Sequence, residues 1–237
     1  MISDPHTRVL KKLGVMPTGL PEYSTATLSD GLQKIGVKNR VLEPAIRPFL
    51  PFTKMAGTAV TVKLGAASGD GSSYVGLLAD AYKAGKQVTA PVLVLEHPVG
   101  LQGTTVVGSG MTHVLRDLYG FVGCVVEGAI RDSDEIKRMN FPVYCRSVHP
   151  EYIWGMLKGI SFNEPVIVGG VEVSSGDIIV GDNDGVVAIP PHHLPKVLEA
   201  ANEVLEQERV LLAAIDQDGY TVEVIKRFQP EALPDVE

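Results

Sequence analysis

The apolar positions of residues 24–140 follow two spacings in turn, one typical of helices and one typical of strands. In 55–64, Thr and Val alternate with small residues, which favours a strand. In 72–86, apolar residues fall on one helical face, and Ser72 or Ser73 would cap that helix. The same reasoning predicts these further elements: a helix from Ser24 or Thr25 to Gly36, strands at 91–97, 104–110 and 121–128, and helices at 111–120 and 133–140. This order predicts a parallel or mixed sheet covered by helices.

The second half of the chain has a different pattern. Residues 165–190 place Gly and Asp between short apolar runs, which predicts hairpins. Asn183-Asp184-Gly185 supplies a turn in which residues of these types tolerate positive φ. Residues 193–217 predict a long amphipathic helix that packs on the core or on a neighbouring subunit. Its apolar stripe consists of Leu194, Val197, Leu198, Ala201, Val204, Leu205 and Leu211.

The composition is that of an ordinary globular protein. The 237 residues are 45% apolar and 21% charged, and the formal net charge is −7. This acidic balance argues against nucleic acid or an anionic membrane as a partner, because little positive charge is available to neutralise phosphates. The sequence shows neither a signal-peptide pattern nor an apolar run long enough for a membrane helix, so a cytoplasmic protein is expected.

Two glycine-containing segments are candidates for ligand-binding loops. GDNDG, residues 181–185, sets two carboxylates beside a glycine, but it lacks the glutamate that closes a calcium loop, so a hairpin turn is favoured. GSGMTH, residues 108–113, follows a strand and opens a helix, but His113 stands where the dinucleotide fingerprint needs its third glycine. Anion binding at this helix start and a plain tight turn both remain open.

The histidines and cysteines do not form a recognisable catalytic or metal-binding motif. The six histidines lack metal-ligand spacing, although His97 and His113 lie near strand ends and could line a site. Cys124 and Cys145 fall in strand-like stretches and are interpreted as small buried hydrophobic residues. The sequence also contains no GxSxG nucleophile elbow.

The pair Arg131-Asp132 follows an apolar run and admits two interpretations. Asp132 is a common N-cap residue, and Glu135 stands three positions later, where a capping box requires it. Alternatively, Arg131 offers fixed charge and forked donors to an enolate or carboxylate oxygen, and the adjacent carboxylate can hold a divalent cation. Open α/β sheets place ligands at the carboxyl ends of their strands. The local pattern leaves both interpretations open.

The segment GFVGCVVEGAIRD, residues 120–132, resembles the GvaGvVvDGavRD signature of the RraA-like family, which includes 4-hydroxy-4-methyl-2-oxoglutarate aldolases. Gly110, Arg131, Asp132 and Glu135 complete the family pattern Gly-x20-Arg-Asp-x2-Glu. FPVYCRS and SSGDIIVGDNDGVVAIP are also similar to family segments. The resemblance extends over about residues 24–220.

This resemblance implies a fold, an assembly and a reaction. The expected fold is α/β, a compact αββα sandwich with a mixed central sheet and a long C-terminal helix, in a single domain over residues 1–237. The expected assembly is a homotrimer or a dimer of trimers with sites between subunits. The expected activity is cleavage of a small 4-hydroxy-2-oxo acid to pyruvate through an enolate, with Mg²⁺ or Mn²⁺ as the divalent metal. Decarboxylation of oxaloacetate would use the same enolate chemistry.

The resemblance also assigns roles to residues. Arg131 would stabilise the enolate oxygen, and Asp132 would hold the metal, partly through water. A second acidic residue would come from the C-terminal helix of a neighbouring subunit, and Glu208 is the first candidate with Glu206 in reserve. Arg131, Asp132 and Glu208 are therefore the predicted catalytic residues, and Asp132 and Glu208 are the predicted metal ligands.

The predicted substrate loop differs from that of many aldolase members. The amides of Ser109, Gly110, Met111 and Thr112 would bind the pyruvyl carboxylate, together with the Arg131 side chain. Many members carry Asp or Glu directly after the loop glycine, but Met111 stands there in this chain. Another departure is a Glu at position 127 in place of the usual Asp. Both departures are expected to change metal affinity or substrate choice.

A binding protein is the competing interpretation. The regulator branch of the family inhibits an RNA-degrading endonuclease through protein contacts and needs no metal. The acidic charge of the chain is compatible with either branch. The complete Arg-Asp-x2-Glu pattern and the candidate Glu208 favour the enzyme.

Overall fold

A mixed eight-stranded sheet forms the centre of the protein, whose computed structural model describes residues 22–67, 74–152 and 155–228. Two smaller sheets, of two and three strands, accompany it. The strands are, in chain order, β1 Arg47–Pro48, β2 Met55–Ala66, β3 Pro91–Glu96, β4 Thr105–Val107, β5 Gly123–Val126, β6 Ala129–Ile130, β7 Val143–Cys145, β8 Ser147–Val148, β9 Leu157–Phe162, β10 Val166–Val168, β11 Val171–Val173, β12 Ile178–Gly181 and β13 Val186–Ile189.

Six α-helices occur in the described residues, and each predicted helix is present. They are α1 Thr25–Lys34, α2 Val75–Gly85, α3 Ser109–His113, α4 Ser133–Met139, α5 Leu194–Asp218 and α6 Val222–Phe228. The Ser24 hydroxyl caps α1 by accepting the Thr27 amide at 3.0 Å, and Gly36 follows at a φ of 76°. The predicted helix 111–120 begins earlier, at Ser109, and continues as a π-helical turn. The predicted caps Ser72 and Ser73 lie outside the described residues.

The topology confirms the mixed sheet. Its strand order is β1-β7-β5-β3-β2-β12-β13, with β9 also paired to β2. The four central strands β2, β3, β5 and β7 are parallel, and β1, β9, β12 and β13 pair antiparallel. The Arg47 guanidinium of β1 donates to the Asp184 carbonyl beyond β12 at 3.1 Å, so the two ends of the strand order lie together. The sheet is therefore curled into a nearly closed barrel.

The strands of this sheet are buried on both faces, which explains their continuous apolar runs. Val92 and Val94 of β3 pack toward the β10–β11 hairpin, whereas Leu93 and Leu95 pack toward α2, α3 and α4. A third cluster joins α1 and the start of α5 to β12 and β13. Cys124 and Cys145 are buried free thiols in β5 and β7, as predicted. Burial raises the pKa of Cys145 to about 11, so its thiol stays protonated at neutral pH.

Both hairpins predicted in residues 165–190 are present, as β10–β11 and β12–β13. In the second turn, only Gly185 of the predicted Asn183-Asp184-Gly185 tripeptide takes a positive φ, of 150°. The Asp182 carboxylate does more than shape this turn. It accepts hydrogen bonds from the amide and hydroxyl of Thr25, at 2.8 and 2.7 Å, and so ties the turn to the first residue of α1. The GDNDG segment is a structural turn that anchors a helix.

The long C-terminal helix is present as α5, but only its beginning is buried. Leu194, Val197, Ala200 and Ala201 pack on the core. The remainder of the predicted apolar stripe is exposed or half-buried, including Leu205 at 41% exposure. None of the described helices, α5 included, combines the length and apolar content needed to cross a bilayer.

Candidate functional site

The small parallel sheet β4-β6-β8 brings the two predicted site segments together. β4 and β6 are adjacent and parallel, with Thr105 opposite Ala129 and Val107 opposite Ile130. Because parallel neighbours end at the same edge, the loop after β4 and the pair after β6 emerge side by side. The Arg131 amide donates to the Val107 carbonyl at 3.0 Å, which holds the two strand ends in register.

The Asp132 carboxylate faces the loop after β4 and does not cap its own helix. Its Oδ2 accepts hydrogen bonds from the Ser109 amide and the Ser109 hydroxyl, both at 3.1 Å. No side-chain cap bond occurs at the start of α4, and Glu135 instead pairs with Arg138 at 3.3 Å. The capping-box interpretation is therefore wrong.

The backbone of Asp132 explains this orientation. Its φ of 57° and ψ of 41° are left-handed, whereas a capping residue is normally extended. Such a conformation costs a non-glycine residue about 1–3 kcal/mol, although Asp and Asn adopt it more readily than other residues, and it recurs at functional sites. The Asp132 carbonyl still accepts the amides of Glu135 and Ile136, so α4 begins there without help from the side chain. The Asp132 side chain therefore lies in the site and does not cap the helix.

Glycine at position 108 permits this close approach. A Cβ atom there would lie 2.7 Å from Asp132 Oδ2 and 3.2 Å from Arg131 Cγ. Both distances are shorter than ordinary van der Waals contact. The backbone of Gly108 is extended, with φ −134°, so the requirement for glycine is one of space and not of conformation.

The Arg131 guanidinium is held mainly by an aromatic ring. It lies over the Tyr152 ring at 4.7 Å from the centroid, a cation–π arrangement. Its Nε is 3.9 Å from Asp132 Oδ2, which is a weak pair because both side chains are more than a third exposed. The guanidinium therefore lines the pocket, and Asp132 offsets its positive charge only in part.

A pocket of about 570 Å³ opens beside this pair. This volume is within the 300–1,000 Å³ typical of small-molecule sites. Its lining residues are Tyr74, Val75, Leu78, Ala79, Tyr82, Val106, Gly108, Gly110, Met111, Val114, Tyr119, Arg131, Asp132 and Tyr152. The walls are thus mostly aromatic and aliphatic, with the charged groups at one end.

The tyrosines of the pocket were not identified as site residues from the sequence. Tyr74 and Tyr152 join their hydroxyls at 2.8 Å, and burial together with this bond raises the pKa of Tyr74. Burial also raises the pKa of Tyr82, so both phenols are protonated at neutral pH. The apolar spacing of α2 placed Tyr74 on its inward face, which was the available sequence signal. Nothing in the sequence showed that Tyr119 and Tyr152, far away in the chain, would face it.

The loop after β4 supplies fewer free amides than expected. The Ser109 amide is taken by Asp132, and the Thr112 amide donates to the Gly108 carbonyl at 3.0 Å. The amides of Gly110 and Met111 lie in the first turn of α3, where no intrahelical acceptor exists. Gly110 and Met111 also line the pocket, whereas Ser109 and Thr112 do not.

Glu127, which replaces the usual Asp, belongs to a separate ionic cluster. It is 8% exposed, and its two oxygens bind the Arg146 guanidinium and the Gly169 amide. Arg146 also pairs with Glu43. The cluster ties the end of β5 to the end of β7 and to the β10–β11 hairpin. Glu127 does not line the pocket, so its role in this structure is to support the scaffold.

Neither candidate histidine lines the pocket. His97 is buried, and this burial lowers its pKa, which favours a neutral ring. Its Nε2 lies 3.4 Å from the Thr104 hydroxyl, at the outer limit for a hydrogen bond. His113 pairs with Asp117 at 2.6 Å, one turn along the same helix. Their positions near strand ends do not bring them to the site.

A single chain provides an incomplete set of metal ligands. Within residues 22–67, 74–152 and 155–228, no group of three or more His, Cys, Asp or Glu side chains is arranged to hold a metal ion. Asp132 is the pocket carboxylate, and Mg²⁺ can be held by one or two carboxylates while it keeps several waters. Glu208 lies on the exposed part of α5 and does not line the pocket, and Glu206 pairs with Arg209 at 2.6 Å. Within the described residues, the pocket therefore offers one carboxylate, that of Asp132, to a hydrated divalent cation.

Comparison with known sequences identifies relatives over most of the chain. A family model described as RraA-like, Aldolase/RraA, matches residues 25–188. A Halalkalibacterium halodurans protein provisionally named 4-hydroxy-4-methyl-2-oxoglutarate aldolase is 34% identical over 180 residues, 76% of this chain and 78% of that protein. Protein DlpA of Legionella pneumophila is 30% identical over 200 residues, 80% of this chain. A Methanocaldococcus jannaschii protein of uncharacterized function is 37% identical over 105 residues, 44% of this chain. The chain spans 30% of DlpA and 50% of the M. jannaschii relative.

Two solved structures share the architecture. An uncharacterized protein from Pseudomonas syringae pv. tomato superposes with a TM-score of 0.70 at 26% identity, over 93% of both chains. Streptomyces coelicolor RraAS2, described as an unusual member of the RNase ES inhibitor RraA protein family, gives a TM-score of 0.70 at 24% identity. That match covers 85% of this chain and 97% of RraAS2. At this identity, the likeness to RraAS2 concerns the fold alone.

Proposed function

Because this chain belongs to the RraA-like family, we propose that it is a divalent-metal-dependent lyase. It cleaves a 4-hydroxy-2-oxo acid of the 4-hydroxy-4-methyl-2-oxoglutarate type to pyruvate through an enolate, and it also decarboxylates oxaloacetate. The observation that carries this proposal is the arrangement of Arg131 and Asp132 against the loop after β4, at one end of a pocket. Relatives provisionally named as such aldolases support the reaction class.

In this reaction the C4 hydroxyl loses its proton, the C3–C4 bond breaks, and the electron pair moves onto the C2 oxygen. The resulting pyruvate enolate then takes up a proton at C3. The Arg131 guanidinium, positioned over Tyr152, stabilises the charge that develops on the C2 oxygen. The amides of Gly110 and Met111 bind the pyruvyl carboxylate at the start of α3, where the peptide dipoles favour an anion.

Asp132 is the proposed metal residue. A divalent cation held there would supply Lewis-acid polarisation of the 2-oxo carbonyl. The Ser109 hydrogen bonds fix the Asp132 carboxylate at the pocket edge, which leaves its other oxygen available to a cation or to water on that cation.

We further propose that a second copy completes the site. The part of α5 beyond Ala201 exposes apolar residues that one chain leaves uncovered, among them Leu205 and Leu212. Covering this face in a homotrimer or a dimer of trimers would bury it and carry Glu208 toward a neighbour's pocket. The single-domain organisation over residues 1–237 and the cytoplasmic location remain predictions, as does the absence of nucleic-acid and membrane partners.

The direct experiment is pyruvate release from 4-hydroxy-4-methyl-2-oxoglutarate and from oxaloacetate. The wild-type protein is assayed with Mg²⁺, with Mn²⁺ and with EDTA, beside Arg131→Ala. We expect metal-dependent release from both substrates and a fall of about a hundredfold or more in kcat for Arg131→Ala, because a donor aimed at developing charge is removed.

The matched control is Arg138→Ala, which removes an exposed arginine of α4 that does not line the pocket. Its activity should equal that of the wild type. Absence of pyruvate release with every metal, from a protein shown to be folded, would refute the lyase. Equal loss in both arginine variants would show a general charge effect and not a role of Arg131.

The regulator remains the second candidate, because the fold matches RraAS2 along nearly the whole length of that protein. This function predicts inhibition of an RNA-degrading endonuclease without metal. Inhibition that persists in EDTA and in Arg131→Ala, in a protein that releases no pyruvate, would select the regulator over the enzyme.

A further inference from the structure

We propose that the pocket selects substrates whose second half, the part released as the carbonyl product, is uncharged and apolar, with an aromatic ring as its best occupant. This inference rests on the proposed lyase, and it replaces the charged second half of 4-hydroxy-4-methyl-2-oxoglutarate with an uncharged one in the preferred substrate. The residues that carry it are the tyrosines and aliphatic side chains of the pocket wall.

The pocket has a charged end and an apolar body. Arg131 and Asp132 stand at the end formed by the small sheet, where the 2-oxo acid would bind. Further lining residues are Leu78 and Tyr82 of α2, and Tyr119, which directly follows the π-helical turn. The Tyr82 and Tyr119 rings are 5.5 Å apart and tilted by 53°, which is a favourable aromatic pairing.

The charges of the pocket do not match a second carboxylate. Among the described lining residues, Arg131 is the cation and Asp132 is the anion. Arg131 is assigned to the enolate oxygen, so a distal carboxylate against the apolar walls would find no second cation among the described lining residues, which is unfavourable. The segments next to Tyr74 and Tyr152 in the chain, residues 68–73 and 153–154, contain no lysine, arginine or histidine.

One cation lies close by. The Lys86 ammonium sits 4.8 Å from the centroid of the Tyr119 ring, although Lys86 is exposed and does not line the pocket. Lys86 is therefore the described group best placed to bind a distal carboxylate, which would contradict the inference. The Lys86→Ala variant described below tests this possibility.

The size of the pocket also exceeds what pyruvate needs. Pyruvate has six non-hydrogen atoms, whereas a volume of about 570 Å³ is in the range that accommodates drug-sized ligands. The surplus volume lies along apolar walls. An apolar group placed there removes its own surface and that of the walls from water, which is worth roughly tenfold or more in affinity for a phenyl ring.

The Tyr82 hydroxyl is a buried polar group in the wall of this pocket. Tyr82 is 5% exposed, and its hydroxyl has no hydrogen-bond partner among the described residues. A buried hydroxyl without a partner is unfavourable.

The test compares two stable 2-oxo acids that differ in their distal group. Binding of phenylpyruvate and of 2-oxoglutarate to the wild-type protein is measured by calorimetry with Mg²⁺ present. Phenylpyruvate should bind at least tenfold more tightly. Tighter binding of 2-oxoglutarate, equal binding, or no binding of either acid would overturn the inference.

Two arginine substitutions on α2 sharpen the test. Ala79→Arg introduces a cation into the pocket wall and should move the preference at least tenfold toward 2-oxoglutarate. Ala84→Arg, the same substitution on the same helix but outside the pocket, should leave the preference unchanged. An equal shift in both variants would refute the role of the wall.

Lys86→Ala addresses the competing cation. If the inference is right, Lys86→Ala changes the affinity for phenylpyruvate and for 2-oxoglutarate little. A selective loss of 2-oxoglutarate affinity by tenfold or more would show that Lys86 recognises a distal carboxylate, and the inference would then be wrong.

Turnover separates this inference from the proposed lyase. Pyruvate release is compared for 4-hydroxy-2-oxo-4-phenylbutanoate, which yields benzaldehyde, and for 4-hydroxy-4-methyl-2-oxoglutarate. A higher kcat/KM for the phenyl substrate supports both proposals. A higher kcat/KM for the dicarboxylate refutes the inference and leaves the lyase intact. Tight phenylpyruvate binding without any turnover supports the pocket preference and removes the lyase.

Discussion

The contact between Gly108 and Asp132 gives the sharpest prediction, because it can be disturbed without changing any charge. In Gly108→Ala, the new Cβ would lie 2.7 Å from Asp132 Oδ2, whereas ordinary van der Waals contact begins at 3.4 Å. Asp132 must therefore retreat by roughly 0.7 Å. The backbone of Gly108 is extended, so alanine adds no conformational strain.

The retreat should affect catalysis more than stability. Asp132 would lose its two hydrogen bonds to Ser109, and Arg131, with Cγ at 3.2 Å and Nε at 3.3 Å from the new atom, would shift with it. A displacement of this size at reacting groups lowers kcat/KM by about 10- to 100-fold. Crowding in a partly exposed site should lower the free energy of unfolding by only about 1–2 kcal/mol.

The assay is metal-dependent pyruvate release, with thermal unfolding measured on the same samples. Gly103→Ala is the matched control, because a Cβ at that exposed glycine meets nothing within 4 Å, and wild-type behaviour is expected. Wild-type activity in a folded Gly108→Ala protein would refute the reasoning, since it would show that the observed position of Asp132 is not needed. A loss of stability much larger than 2 kcal/mol would instead show that Gly108 supports the fold.

Three further predictions concern groups around the site and the scaffold. Asp182→Asn should lower the free energy of unfolding at pH 7 by about 2 kcal/mol, because charged hydrogen bonds to Thr25 are weakened. Burial disfavours the charged Asp182 carboxylate, but the hydrogen bonds from Thr25 and from backbone amides outweigh burial and lower its pKa, so this group stabilises the wild type above pH 3.8 and stops doing so as the pH falls through the folded pKa. Urea unfolding should therefore show a smaller loss of stability in acid for the variant than for the wild type. Glu127→Ala should destabilise the protein by about 3 kcal/mol in urea unfolding, because Arg146 loses a nearly buried partner, and an unchanged midpoint would contradict the scaffold role. Tyr82→Phe should keep or raise the melting temperature, because it removes a buried hydroxyl that has no partner among the described residues. A clear fall would reveal a hydrogen bond that these residues do not show.

Local patterns in the sequence were sufficient for most of the secondary structure. The helix at α1, the long α5 and the hairpins of residues 165–190 follow from caps, glycine stops and apolar spacing, which act between residues close in the chain. The family motif also identified Arg131 and Asp132 as candidate site residues. Burial of both cysteines followed from their strand-like surroundings.

The same local reasoning failed where a side chain had two possible partners. Asp132 and Glu135 have the spacing of a capping box, yet the left-handed backbone of Asp132 turns its carboxylate to Ser109, 23 residues earlier. Asp182 is comparable, because its sequence suggested a turn and its carboxylate also holds Thr25, 157 residues away. Spacing in the chain cannot choose between a near and a distant acceptor.

The sequence by itself therefore determined most of the elements, the sheet class and the identity of the charged pair. The tertiary structure alone decided what surrounds that pair: the parallel pairing of β4 and β6 that joins two loops, and the pocket in which Tyr82, Tyr119 and Tyr152 converge. The physical reason is the separation along the chain over which each interaction acts. Helix and turn preferences depend on a few neighbouring residues, whereas a pocket is formed by packing between segments that no local pattern connects.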